Sequence, residues 1–185
     1  MVHYYYAKEF PLSELSFSTL QLKPELIQNL DSMGYQQMTD IQAQSLPTII
    51  AGGDIIAQGK TGSGKTAAFG LGVLEKLEVK RFRIQSLILC PTRELADQVA
   101  KELRKLARAI HNIKILTLCG GMPFGPQVGS LEHGAHIVVG TPGRTKDLIR
   151  RKKLFVGKIE RLILDEADEM LSMGFKKDLE TIINA

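Results

Sequence analysis

The feature that most constrains this chain is an alternation. Five short apolar runs, Ile55-Ile56-Ala57, Ser86-Leu87-Ile88-Leu89, Ile115-Leu116-Thr117-Leu118, Ile137-Val138-Val139 and Leu162-Ile163-Leu164, are separated by longer stretches, most of them helical in period. Runs this short and this apolar read as strands buried on both faces. The strongest helical stretch is Glu94 to Ile110, where Leu95, Val99, Leu103, Leu106 and Ile110 form one apolar stripe. Repeated strand–helix alternation predicts an α/β fold, a mostly parallel sheet flanked by helices on both faces. In such sheets ligands bind beyond the carboxyl ends of the strands, so the residues that follow strands carry the chemistry.

Upstream of the alternation the signals are helical. Pro24 suits a first helical position, Leu26, Ile27 and Leu30 share a face, and Gly34 ends the segment. A second helix is expected from about Asp40, read as an N-cap, to Gly52-Gly53. Residues 1–16 have no clear period and read as a loosely attached arm, with one domain over residues 17–185. Hydrophobic residues make up 44% of the 185 and charged residues 24%, which excludes wholesale disorder. Cys90 and Cys119 cannot form a disulfide framework, no apolar run has the length of a membrane span, and Met1 to Pro11 lacks the core of a signal peptide. A cytoplasmic location is expected. The net charge of +4 is compatible with a nucleic-acid partner without requiring one.

Immediately after the Ile55–Ala57 run comes Gly59-Lys60-Thr61-Gly62-Ser63-Gly64-Lys65-Thr66. It fits the full phosphate-loop pattern in the required strand–loop–helix setting. The glycines let the backbone curl until successive N–H groups point inward at phosphate oxygens, and the following helix adds its positive dipole end. Lys65 would bridge the β- and γ-phosphates and the Thr66 hydroxyl would ligate Mg²⁺. A glycine-rich turn that fits by chance is the competing reading, and the flanking strand and helix disfavour it. These residues predict a site for a nucleoside triphosphate.

Such a site needs an acid at the end of another buried strand. Asp165 follows Leu162-Ile163-Leu164 directly, and Glu166, Ala167 and Asp168 come next. Asp165 would hold Mg²⁺ while Glu166 aligns or deprotonates the attacking water, the division of labour that hydrolysis requires. Alone, the four residues could equally be an acidic helix start.

Asp165-Glu166-Ala167-Asp168 also spells the name of the DEAD-box RNA helicases, and other motifs of that family's first lobe occur in order. Gly34-Tyr35-Gln36-Gln37-Met38-Thr39-Asp40-Ile41-Gln42 resembles the Q motif, with an aromatic upstream at Phe17. Pro91-Thr92-Arg93-Glu94-Leu95-Ala96, Gly120-Gly121 and Thr141-Pro142-Gly143-Arg144 each follow one of the apolar runs. The resemblance covers nearly everything from Phe17 onward, and details around Leu118-Cys119-Gly120-Gly121 are similar to the bacterial DEAD-box protein A subgroup. Met38 and Gly59 depart from the family's usual Pro and Ala, without removing a functional group.

The resemblance implies a three-layer, RecA-like domain that uses ATP and Mg²⁺. It implies that Gln42 reads the adenine edge while Phe17 and Tyr35 pack against the ring. It further implies that Pro91, Thr92, Arg93, Gly120, Gly121, Thr141, Pro142, Gly143 and Arg144 line a track for single-stranded RNA. Contacts there go to the backbone and are indifferent to sequence. The family has a second lobe carrying arginine fingers, and a Ser-Ala-Thr motif after the next strand. Neither lies within these residues, so the chain is expected to be a first lobe, incomplete at its C-terminal end, that binds nucleotide and weakly RNA. The alternatives are a non-catalytic RNA-binding module and another nucleotide-driven motor such as a DNA translocase. Intact Lys65 and Glu166 argue against the former, and Gln42 with the Asp165–Asp168 tetrad against the latter. The basic stripe Lys101, Arg104, Lys105, Arg108 and the run Arg150–Lys153 read as solvated helix faces, and His133 and His136 as loop and strand residues rather than metal ligands.

Overall fold

The computed structural model describes the backbone of residues 3–5 and all of residues 15–185. The rest of the arm expected over residues 1–16 lies outside the described residues. The chain divides into two compact units, residues 1–77 with 102–111, and residues 78–101 with 112–185.

In the first unit β1 (His3–Tyr5) pairs in parallel with β2 (Ile55–Ala57), His3 opposite Ile55 and Tyr5 opposite Ala57. Phe17–Thr19 forms a single 3₁₀ turn. Helix α1 (Pro24–Ser32) begins on its proline, as the fixed φ of that residue favours. Helix α2 (Asp40–Ala51) is capped by Thr39 rather than by Asp40, because Gln42 at the third helical position accepts the Thr39 N–H at 3.0 Å. It ends on Gly52 in the left-handed conformation. Helix α3 (Lys65–Glu75) completes this unit's main packing, with Leu26, Leu30, Leu46, Leu71 and Leu74 fully buried. Asn29, also buried, donates to the carbonyls of Lys105 and Leu106 at 2.8 and 2.9 Å, satisfying the end of the helix that carries them.

That helix, α4, spans Arg93–Leu106 and stops four residues short of the expected Ile110. In the second unit β3 (Ser86–Leu89), β4 (Ile115–Leu118), β5 (Ile137–Gly140) and β6 (Arg161–Leu164) form one parallel sheet in the order β4-β5-β3-β6. Each element begins and ends within a residue of its apolar run. Leu87 and Leu89 lie on one face of β3 and Ile88 on the other, and all three are inaccessible, so both faces are covered by helices. Helices α5 (Phe124–Glu132), α6 (Pro142–Arg150), α7 (Ala167–Ser172) and α8 (Lys176–Ile183) follow the later strands. Leu148 of α6, Met170 of α7 and Leu179 and Ile182 of α8 pack with Leu87, Leu89, Leu118 and Val138 in one core.

Two buried polar residues close the amino-terminal edge of this sheet. The His136 ring accepts the Lys114 N–H on Nδ1 at 3.0 Å and donates from Nε2 to the Val79 carbonyl at 3.0 Å, a neutral, fully used imidazole. Gln85 accepts the Glu78 N–H at 3.0 Å and donates to the carbonyls of Glu78 and Arg81, both at 2.8 Å. Replacing Gln85 by Met would leave the Glu78 N–H without a partner and take one of two donors from each of the carbonyls of Glu78 and Arg81. The substitution is expected to lower unfolding free energy by about 1–3 kcal/mol in urea titrations.

Candidate nucleotide site and loop cluster

The glycine-rich loop lies wholly within the first unit. Gly62 and Gly64 hold φ of 80° and 97°, the left-handed region that side chains resist. At Gly64 a Cβ would also come within 2.5 Å of Gln42 Nε2, so nothing larger fits. The loop's carbonyls are taken by side chains. Lys65 donates its ammonium to the carbonyls of Gly59 and, at 3.0 Å, Lys60. The Thr39 hydroxyl donates to Ser63 O at 2.8 Å, and Gln42 Nε2 to Gly64 O at 3.1 Å. Ser63 N–H bonds back to Lys60 O, whereas the N–H groups of Gly62 and Gly64 find no acceptor among the described residues. With the orphan donors of the first turn of α3 they form a nest for an anion. That set of donors fits polyphosphate.

A cleft of about 310 Å³ opens beside the loop, lined by Thr39, Asp40, Ile41, Gln44, Gln58, Gly59 and Ser63. Phe17 and Tyr35 do not line it. Phe17 is buried and meets Tyr35 edge-on at 6.4 Å, and the Tyr35 hydroxyl reaches Glu102 at 3.3 Å. Burial, and then the Glu102 carboxylate, push the Tyr35 hydroxyl pKa up. Gln42 is buried with both ends of its amide engaged, Oε1 by Thr39 and Nε2 by Gly64.

The remaining expected site residues lie in the second unit, at the carboxyl edge of its sheet. Asp165 is buried directly after β6, with its N–H bonded to Leu89 O at 2.9 Å. Glu166 occupies φ 53°, ψ 52°, a left-handed conformation rare for a residue with a side chain and costing about 1–2 kcal/mol. Burial, and then the carboxylate of Asp165, push the nearby Cys90 thiol well above its ordinary pKa, with smaller contributions from Cys119 and Glu166. Among the described residues no cluster of three or more His, Cys, Asp or Glu could hold a metal. Mg²⁺ needs no such cluster, since it takes one or two carboxylates and completes its shell with phosphate oxygens and water.

Three loops at the same edge converge. Gly120 N–H meets the Thr141 hydroxyl at 3.3 Å, and Arg144 donates to the Met122 carbonyl at 2.9 Å. A Cβ on Gly121, whose φ is 71°, would stand 2.9 Å from the Arg93 guanidinium. Pro91 is buried, Thr92 accepts the Leu95 N–H at 3.2 Å at the start of α4, Pro142 opens α6, and Gly143 follows half-buried. The arginines Arg144 and Arg151 lie over the Phe124 ring at 5.5 and 4.8 Å. A cleft of about 430 Å³ in this unit is lined in part by Arg93, Asp97, Cys119 and Gln127. Sequence reasoning missed Thr39, Phe124 and Gln127. Only Thr39 carried a legible signal, the capping spacing to Gln42.

A glycine-rich phosphate-loop pattern directly after β2 and an acid pair directly after β6, in a parallel α/β fold, are the pattern of the phosphate-loop class of proteins. Neither strand is buried as expected, Ile56 and Leu162 being exposed. Residues 39–185 match the model of the DEAD/DEAH box helicase family, and the chain belongs to that family. It is 54% identical over 169 residues to a protein of Escherichia coli named ATP-dependent RNA helicase DbpA, covering 91% of this chain and 37% of that one. It is 47% identical over 170 residues to the DEAD-box ATP-dependent RNA helicase CshA of Streptococcus pneumoniae, covering 92% and 32%. Among solved structures, a DEAD box protein from the hyperthermophile Methanococcus jannaschii superimposes with a TM-score of 0.88 at 43% identity, covering 92% of this chain and 47% of that one. The chain thus spans about a third of the length of these curated relatives. No helix among the described residues is long and apolar enough to cross a membrane.

Cys119 supplies a pH test of the loop cluster. Burial, and then Asp97, raise its thiol pKa from 9.0 to about 11, while Arg93 pulls the other way. The folded state therefore keeps a proton that the unfolded chain loses, so stability should fall as pH rises from 9.0 through about 11. Denaturant midpoints across that range should show the fall, reduced in Cys119→Ala.

Proposed function

We propose that this chain is the ATP-binding lobe of an RNA-dependent ATPase that destabilises short RNA duplexes. The observation that carries the reading is the Gly59–Thr66 loop, where side chains occupy the carbonyls of Gly59, Lys60, Ser63 and Gly64 while the N–H groups of Gly62 and Gly64 have no acceptor among the described residues. The loop cradles the phosphates, and Lys65, with two of its three donors on loop carbonyls, turns the third to the β- and γ-phosphates. Thr66 and Asp165 would hold Mg²⁺, which would supply charge neutralisation on those phosphates. Glu166 orients or deprotonates the attacking water. Its left-handed backbone is the kind of local strain found at working residues.

Adenine selectivity falls to Gln42, Phe17 and Tyr35. Each end of the Gln42 amide spends one hydrogen-bonding position on Thr39 or Gly64 and keeps one, so it can read a base edge while still holding the loop. Base choice and loop geometry are then coupled through one side chain. Calorimetry in Mg²⁺ should show ATP and ADP binding more tightly than GTP, with Lys65→Ala weakening all three. Equal affinity for GTP would refute the role of Gln42.

The loops bearing Pro91, Thr92, Arg93, Gly120, Gly121, Thr141, Pro142, Gly143 and Arg144 hold single-stranded RNA by its backbone. The domain comprises residues 17–185, and a second helicase lobe completes both sites and supplies the arginine that stabilises charge on the departing phosphoryl group. Such an arginine contributes about 10³–10⁵ in rate. Lys65 and Mg²⁺ already act on the ground state and cannot replace it. Phosphate release by the 185-residue chain should therefore stay near background with or without RNA, and rise when a second lobe is supplied. Turnover near a typical enzyme's ~10 s⁻¹ from this chain alone would overturn the reading.

A further inference from the structure

We propose that Gln127 is a positioning residue for RNA, its amide holding the 119–123 loop so that the N–H groups of Gly121 and Met122 face a backbone phosphate. The proposal rests on the RNA reading of that loop.

Gln127 lies on α5, outside every motif of the sequence, and is only 9% exposed. Its Nε2 donates to the carbonyl of Cys119 at 3.0 Å and, more weakly, to that of Pro123 at 3.5 Å. One side chain thus ties together the two ends of the loop. From the other side Arg144 takes the Met122 carbonyl, and Thr141 takes the Gly120 N–H. The loop's carbonyls at Cys119, Met122 and Pro123 are therefore drawn inward. Gly121 and Met122 are exposed, and their N–H groups meet no acceptor among the described residues. Gly121 is left-handed and lies against the Arg93 guanidinium, which also meets Glu94 at 3.6 Å, so the open N–H groups stand beside a cationic side chain. Adjacent outward N–H groups beside a cation suit a phosphate oxygen.

Folding alone does not account for this glutamine. Its Oε1 is buried without any partner, which costs stability. A methionine would fill the same space and remove that orphan, but would leave the buried Cys119 carbonyl without its donor. What the amide adds is its donor, and that donor serves only the loop.

The test is fluorescence anisotropy of a labelled single-stranded oligouridylate with the 185-residue chain across a salt series, beside thermal unfolding. Gln127→Met should weaken RNA binding by about tenfold, the loss of one charge-assisted contact. It should also lower the slope of log affinity against log salt by about 0.7, one phosphate on a single strand. The melting temperature should change little, since removing the orphan Oε1 offsets the donor lost to the buried Cys119 carbonyl. Gln127→Glu, which keeps the shape but cannot donate when ionised, should weaken RNA binding at least as much. Unchanged affinity and slope in Gln127→Met would overturn the proposal while leaving the RNA reading standing, provided Arg93→Ala still weakens binding. A fall in melting temperature with an unchanged slope would mark Gln127 as structural and overturn it too. No salt-dependent binding by the unaltered chain would remove the RNA reading and the proposal with it.

Discussion

The loop cluster of the second unit depends on one interaction, the parallel hydrogen-bond ladder around β3. Its bonds do not stop where the strands stop. Asp165 N–H reaches Leu89 O, Cys90 N–H reaches Gly140 O, and Thr141 N–H reaches Leu118 O, at 2.9, 2.9 and 3.1 Å. Each extends the ladder one step past a strand and fixes the first residue of a working loop. Because all strands run the same way, every one delivers its carboxyl end to the same edge. The acid after β6 and the glycine, threonine and arginine loops after β3, β4 and β5 therefore share an edge by topology. The opposite edge is closed by Gln85 and His136, which use up their polar groups on backbone and leave nothing for a ligand.

Much of this was legible in the sequence because the forces that set it are local or periodic. Central parallel strands are mostly apolar, and so Ser86–Leu89 and Ile115–Leu118 could be bounded to the residue, although Leu116 and Thr117 are only half-buried. The phosphate loop was legible because only glycine tolerates the φ that Gly62 and Gly64 adopt. The start of α2 was off by one residue, since Asp40 looks like a cap by type while Thr39 has the spacing that lets Gln42 reach back. Helix α4 stops early because Asn29, distant in sequence, caps its last carbonyls.

What stayed illegible is pairing between distant residues. Nothing about His3-Tyr4-Tyr5 announces a strand, since its partner is the backbone of β2 and backbone pairing asks little of side-chain pattern. Gln127 reads as an ordinary polar residue of α5, and its contact with Cys119 exists only once β4 and α5 are folded together. Gln42 stood out only through the family motif, and its bond to Gly64 depends on a loop 22 residues away.

On the readings proposed above, the two glycine-bearing loops solve the same electrostatic problem in the same way. A loop that binds an anion must turn N–H groups toward it, and each peptide that does so turns its carbonyl the other way, where water cannot always follow. Around Gly59–Thr66 the carbonyls fall to Lys65, Thr39 and Gln42; around Cys119–Pro123 they fall to Gln127 and Arg144. In both loops a left-handed glycine makes the reversal possible, and the donors that hold it come from side chains on helices. Glycine supplies the freedom to adopt such a loop but nothing to keep it there. The clamping side chains supply the second part, by removing alternative conformations before the anion arrives. Preorganisation of this kind lowers the entropy that binding must otherwise expend. It also explains why residues as dissimilar as Lys65 and Gln127 do equivalent work: what each loop requires is a donor fixed on a rigid element, and the charge on that donor matters only where a phosphate lies within its reach.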